Sequence, residues 1–447
     1  MTEFQTTFTL IVFAAVILAI AFDVVDMVLA ALLGVAALLV VGVFAAPDGA
    51  KITHNSGGPI ALLFGGMIVA GVLAPTGLFD WVGTRYLRFT RGSGKRFLIG
   101  LVVLVGALCA VLPNATTVVL LAPVIIRVAR ELDIDIVPPM ILTAIVSNTA
   151  GLLTLVGDPA TFLVGSSIGM SFGEYLQKVS LGGLLTLLAL TAMLPWLMRD
   201  IWNLKRELPA ELPPARITRP VFATVALLVL AVMVLLFLFG EDTPTAITPP
   251  AVAIVAAALA LLVVQAAKVE PVGDLLKRVD WKTLLFLVLL FALVEAFNKT
   301  GILQSFSNQL YEVFGTHTLI VALVMLVGVG LASTLLANIP VVAAMLFVAK
   351  SYLIIAELVP EQALDPTFAN WPAATLPIFV AMMFGGTLGG NATLIGASAN
   401  VVSVGICAQE GRRVSFAGFM RYGVPVVIVQ LAVSALYVLA LDFLITR

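Results

Sequence analysis

Apolar stretches of roughly 17–25 residues follow one another from Phe8 to Leu444, each long enough to cross about 30 Å of hydrocarbon. In that solvent every backbone N–H and C=O needs a partner within the protein, so a spanning chain must be helical or a closed barrel. Long, unalternating runs are the helical kind. Hydrophobic residues at 61% and charged residues at 11% set the chain apart from an average globular domain. The sequence is therefore that of an all-α polytopic membrane protein. The net charge of −1 argues against a nucleic-acid partner. Cys109 and Cys407 are too few for a disulfide framework or a Cys-rich metal site, so no cofactor is expected. The N-terminal stretch carries Glu3, no basic region and no cleavage motif, and reads as a first span rather than a signal peptide.

The hydropathy pattern predicts ten spans, near residues 8–22, 27–46, 59–81, 139–168, 179–198, 221–240, 250–267, 283–298, 371–405 and 418–444. Two hydrophobic pairs, 97–112 with 116–128 and 318–336 with 340–352, have only short polar tips between their halves. The implied organisation is two N-terminal spans (1–58), a first repeat with the first pair (59–198, pair about 97–130), and a polar linker (199–220). Spans 6 and 7 (221–280) and a second repeat with the second pair (281–447, pair about 318–352) complete it.

Charge orients the map. With the linker in the cytoplasm and sides alternating, all of the 24 Lys and Arg fall on the cytoplasmic side except Lys51, Lys178, Lys299, Lys350 and Arg447. Both termini then face outward, from a cell or inner membrane. Trp81, Trp196, Trp202, Trp281 and Trp371 lie near span ends, as aromatic belts require. Charge does not decide whether each pair crosses or re-enters, because both versions return to the same side.

The halves resemble each other. Pro75–Gly77 ("PTG") answers Lys299–Gly301 ("KTG"), and at the same offset Asn114 in "LPNATTVVLLAP" answers Asn338 in "LANIPVVAAMLF". Further on, "AGLLTLVGDPA" (150–160) answers "GGNATLIGASA" (389–399), placing Gly151, Thr154 and Gly157 on Gly390, Thr393 and Gly396. Span 3 starts outside and span 8 inside, so the repeats are inverted. Inverted repeats with interrupted helices at matching positions point to a secondary transporter with a midplane site. Gly157 can end one half-helix, Asp158 cap the next, and Pro159 occupy its first turn. Half-helix N-termini then offer free N–H groups and partial positive charge.

Asp158 is the foremost candidate, because an ionisable residue at that depth is costly and functional by default. Two roles are open to it, proton or cation coupling and simple capping; its repeat counterpart is Ala397. Asn114 and Asn338 sit at the pair tips, where each can cap an arm, line the site, or do both. Thr116, Thr117, Asn148, Thr149, Asn391, Thr393, Ser398 and Asn400 supply further oxygens, although Ser and Thr in membrane helices often bond only their own backbone. Glu295 and Lys299, four apart, read as an ordinary pair. His54 and His317 fall in outer loops, and Asp23 and Asp26 in a solvated turn. No Lys or Arg lies deep in a predicted span, which favours a neutral or cationic substrate.

At these motifs the sequence resembles the ion-transporter superfamily, in its ArsB and P-protein branch. "GGNATLIGASANVV" is similar to the second-half signature, "SNTAGLLTLVGDP" to the first-half break, and "LPNATTVVLLAP" to a hairpin tip. The resemblance implies ten spans plus two re-entrant hairpins, and a homodimer that works by an elevator motion. Site residues carried over are Asn114, Thr116, Thr117, Asn148, Gly157 and Asp158, with Asn338, Thr387, Asn391, Thr393, Gly396, Ser398 and Asn400. P-protein-like members carry an acid just before each tip Asn; here Pro113 and Ala337 stand there. The expected function is export of arsenite or antimonite in exchange for protons, with a soluble ATPase partner if the chain is ArsB-like. The alternative is a sodium/proton exchanger or sodium-coupled anion or dicarboxylate carrier. A channel would show uncoupled conductance. An intramembrane enzyme would need a nucleophile–base pair or metal cluster that the spans do not offer.

Overall fold

Proline and glycine punctuate the helices of the computed structural model, which describes residues 1–21, 24–207, 217–241, 243–365, 368 and 370–445. Phe22, Asp23, Arg216 and Arg447 lie outside the described residues. Proline stands in the first turn of Ala46–Leu73, Val137–Ala150, Pro159–Ser167, Pro220–Phe239, Pro249–Ala267 and Leu376–Gly389, where its missing N–H is not needed. Gly77 and Gly301, the repeat-matched pair, both adopt left-handed φ (75° and 77°) that ends a preceding turn. Each then launches an amphipathic helix, Leu78–Thr90 and Ile302–Phe314. Among the described residues, ten helices are long and apolar enough to cross a membrane, and the isolated bridge Ser93–Lys205 is the one element of β pairing.

Two packed bodies result. Met27–Val40, Ala46–Leu73, Pro220–Phe239, Pro249–Ala267 and Trp281–Asn298 pack on one another as one. The other holds two hairpins, Gly94–Cys109 with Asn114–Glu131 and Thr318–Leu335 with Asn338–Ile355. Packed with them are two broken spans, Val137–Ala150 with Pro159–Ser167 and Leu376–Gly389 with Ser398–Gln409, and the helices Ser180–Leu197 and Phe416–Ile445. The tightest seam runs between Thr318–Leu335 and Leu376–Gly389. A Cβ added at Gly389 would lie 2.2 Å from the Gly330 carbonyl oxygen, so the helices touch backbone to backbone.

Two expectations change. The helix predicted to begin at residue 59 begins at Ala46, because Asp48 accepts from the Ala45 N–H (2.5 Å) and nucleates an earlier start; His54 is exposed on that helix rather than in a loop. Glu295 and Lys299 do not pair with each other. Lys299 reaches the buried Asp48 and the Val43 carbonyl (3.1 Å), and Glu295 faces Lys51 (3.7 Å), since both side chains point at the neighbouring helix start. Asp26 is exposed, as expected of a solvated turn, and it also caps Met27–Val40 and forms an ion pair with Lys282.

The face carrying the basic clusters is stitched across elements. Gly94 N–H donates to Leu204 O (3.0 Å) and Arg206 N–H to Gly92 O (2.9 Å), while Arg206 pairs with Asp133 and Arg412 with Asp135. Partial burial disfavours the ionised Asp135, but hydrogen bonds from Arg412 and the Val137 N–H outweigh it and hold the carboxyl below its ordinary value. The pair therefore stays charged at neutral pH. Being half-exposed, the pair is screened by solvent and adds little to stability.

Candidate functional site

Both broken spans unwind the same way. A 3-10 turn (Gly151–Leu153 or Gly390–Ala392) leads to extended backbone at Thr154 and Thr393, and extended Asp158 or Ala397 precedes the next half-helix. Freed backbone at that depth needs partners, and threonines supply them. Thr154 Oγ1 donates to Ala110 O (2.6 Å) and Thr393 Oγ1 to Thr334 O. Ala110 and Thr334 are repeat mates, so each break is pinned to the hairpin of its own half.

Neither tip asparagine caps its arm. Pro113 and Ala337 occupy the cap positions, and the side chains of Asn114 and Asn338, in the first turn, reach the first break instead. In the amide orientation that satisfies both atoms, Asn114 donates to Ser147 O (2.9 Å) and Gly157 O (3.2 Å). Asn338 Nδ2 donates to both Asp158 oxygens (3.1 and 3.4 Å). The two tips thus meet adjacent residues of one break, so both pairs turn back where the broken spans unwind.

Asp158 joins the halves. Its Oδ1 accepts from Ala160 N–H (3.0 Å), so it is a helix cap, while its Oδ2 also accepts from Thr387 Oγ1 (3.0 Å) of the second broken span. The carboxylate is 2% exposed, and every donor to it is neutral. Beside it lies a second network made only of neutral groups. Asn148 Nδ2 donates to Asn391 Oδ1 (3.0 Å) and Asn400 Oδ1 (2.9 Å). Asn400 Nδ2 donates to the carbonyls of Gly390 and Thr393 (2.8 and 2.7 Å), which the break has freed. Asn391 Nδ2 donates to Thr149 Oγ1 and Gln430 Oε1 (both 3.1 Å), and Gln430 Nε2 closes the ring onto Thr149 Oγ1 (2.9 Å).

Of the predicted residues, Asn114, Asn148, Thr149, Gly157, Asp158, Asn338, Thr387, Asn391, Thr393, Gly396 and Asn400 come together in and around these networks. Thr117 is buried with its hydroxyl facing the Cys109 thiol. Thr116 and the exposed Ser398 stand outside the hydrogen bonds. Gln430 went unread from sequence, although its signal is there: a lone amide in the apolar middle of Phe416–Ile445. Lys350, assigned to the outer side and within the predicted segment 340–352, lies in the helix Asn338–Ile355; its Nζ donates to Ser167 O (3.0 Å) over the Trp371 ring.

Four helix N-termini converge here, those of Asn114–Glu131, Pro159–Ser167, Asn338–Ile355 and Ser398–Gln409. Such ends favour negative charge, and a carboxylate among them can exchange a proton or bind a small cation against freed carbonyls. Replacing Gln430 with Leu leaves the Asn391 amide short of an acceptor in a dry interior. The expected cost is about 1–3 kcal/mol, read as a lower melting temperature, with Gln430→Glu recovering only part of it, because a carboxylate accepts from Asn391 but cannot donate to Thr149.

Residues 16–367 match the model of the citrate transporter family, CitMHS. The chain belongs to that family. Its fold and unwound core are those of a multi-pass membrane transporter. It is 40% identical over 437 residues to an uncharacterized transporter of Synechocystis sp., covering 98% of this chain and 97% of that one. An uncharacterized transporter of Mycobacterium bovis is 34% identical over 434 residues, 95% of this chain and 96% of the relative. Human P protein is 29% identical over 522 residues, 98% of this chain and 60% of the P protein, so the resemblance read from the breaks extends along nearly all of this CitMHS-family chain. The Alcanivorax borkumensis YdaH transporter shares the fold, with a TM-score of 0.55 at 12% identity over 90% of each chain.

Proposed function

We propose that this transporter is a proton-coupled secondary exporter of a small neutral oxyacid, arsenite or antimonite in their trivalent hydroxylated forms, with Asp158 as the coupling group. The observation that carries the reading is the lone carboxylate held between the two halves entirely by neutral donors. A charge so placed is expensive unless it is used, and protonation relieves it. The adjoining Asn and Thr groups suit hydroxyl recognition. The two packed bodies fit a motion in which the hairpin-bearing body slides past the other, with the basic face in the cytoplasm. A homodimer is part of the same proposal.

The family description favours a second reading, a carboxylate such as citrate moved with protons or sodium, its charge met by the converging helix ends. Proteoliposomes reporting internal pH distinguish these readings. Proton movement on adding arsenite or antimonite, but not sodium or citrate, is the expected result. A response confined to citrate or sodium overturns the metalloid cargo and leaves the carboxylate reading in its place.

A further inference from the structure

A cavity lies on the basic face, lined by none of the residues around Asp158, where the amphipathic helix Leu78–Thr90 packs on the first hairpin. Tyr86 anchors the contact by donating from its hydroxyl to Phe97 O. Between the helix and the arm Gly94–Cys109 runs an apolar trough of about 410 Å³, walled by Trp81, Phe89, Val103 and Ala107. Arg85 and Phe89 line both this trough and an adjoining open pocket of about 560 Å³, whose other walls are Arg88, Arg91 and Arg96. The four arginines are exposed, and among the described residues none has a carboxylate partner; Arg85 lies over the Trp81 ring at 5.8 Å. No acidic side chain lines either cavity.

The repeat-related helix Ile302–Phe314 is amphipathic too but has no Lys or Arg, so the fold itself does not call for these charges. Orientation in the membrane accounts for basic residues on this face, but it needs only their number. It requires neither convergence on one pocket nor an apolar trough running out of that pocket. Guanidinium forks match phosphate oxygens, and a basic pocket at the membrane surface is the kind that holds an anionic headgroup.

We propose that the composite cavity binds one anionic phospholipid, its phosphate among Arg85, Arg88, Arg91 and Arg96 and an acyl chain along the trough between Leu78–Thr90 and Gly94–Cys109. The bound lipid joins the amphipathic helix to the first hairpin, and so tunes how freely the hairpin-bearing body moves.

The test uses the full chain, purified and stripped of lipid, with native mass spectrometry and thermal melting as readouts. Phosphatidylglycerol is expected to bind and stabilise at least tenfold more effectively than phosphatidylcholine, glycerol phosphate or inorganic phosphate. The triple variant Arg85→Gln, Arg88→Gln, Arg91→Gln should weaken phosphatidylglycerol binding at least tenfold. A control that removes equal charge elsewhere, Lys268→Gln, Lys277→Gln, Arg413→Gln, should not. Ala107→Trp, which fills the trough and leaves the arginines intact, should weaken lipid binding without changing the response to phosphate. Equal binding of phosphatidylcholine overturns the proposal, as does equal binding of free phosphate. Equal loss in both triple variants also overturns it, by showing diffuse surface charge in place of a site.

Discussion

Asp158→Asn yields folded protein whose transport no longer depends on pH and no longer concentrates its cargo. The amide oxygen still accepts from Ala160 N–H, so the half-helix Pro159–Ser167 keeps its cap and the melting temperature changes little. What disappears is the titratable charge between Thr387 and Asn338. One charge moved across 100 mV is worth roughly 2.3 kcal/mol, so losing one coupled proton removes about fifty-fold of accumulation. Asp158→Ala should add a stability loss of about 1 kcal/mol, because it removes the cap as well. Flux measured across a pH series decides the matter. An Asp158→Asn protein indistinguishable from wild type at every pH would leave Asp158 a cap and nothing more.

Gly396→Ala collapses the second break. A Cβ there would lie 2.5 Å from Gly390 O and 2.8 Å from Gly390 Cα, and neither atom belongs to a side chain that can rotate away. The unwound loop must open, pulling Asn391, Thr393 and Asn400 from their partners, at a cost of about 1–3 kcal/mol. Gly405→Ala, on the half-helix Ser398–Gln409, is the control. A Cβ at Gly405 meets nothing within 4 Å, and alanine is the better helix former by about 1 kcal/mol. Folded yield and melting temperature should fall steeply for the first variant and hold or rise for the second. Equal melting of the two would mean that the Gly390–Gly396 contact does not hold the break.

The contrast between these glycines separates what can be read along the chain from what cannot. Lipid forbids unpaired backbone, so "LVGDPA" and "LIGASA" inside apolar runs declare helix breaks, and their shared offset declares a repeat. Asp158 is legible for the same reason, as is the placement of Asn114 and Asn338 at hairpin tips: each follows from local cost, residue by residue. The early start of Ala46–Leu73 was hidden because it depends on the Asp48 cap, which prevails over a loop-like stretch of Gly, Lys, His and Asn.

Partner choice was not legible at all. Lys299 had Glu295 one turn away and took Asp48, more than two hundred residues distant, because the packing of Trp281–Asn298 on Ala46–Leu73 brings them together. Gln430 looked like an isolated amide until the final helix packed against both breaks. The sequence by itself determined that this chain is helical, membrane-spanning, internally repeated and broken at two places with a carboxylate in one of them. Only the tertiary structure decided that Asp158 is held by the other half's Asn338 and Thr387, and that Asn148, Asn391, Asn400 and Gln430 form one network. Hydropathy and Gly/Pro geometry act within a few residues, whereas a buried hydrogen bond is chosen by whichever helices their small residues allow to touch.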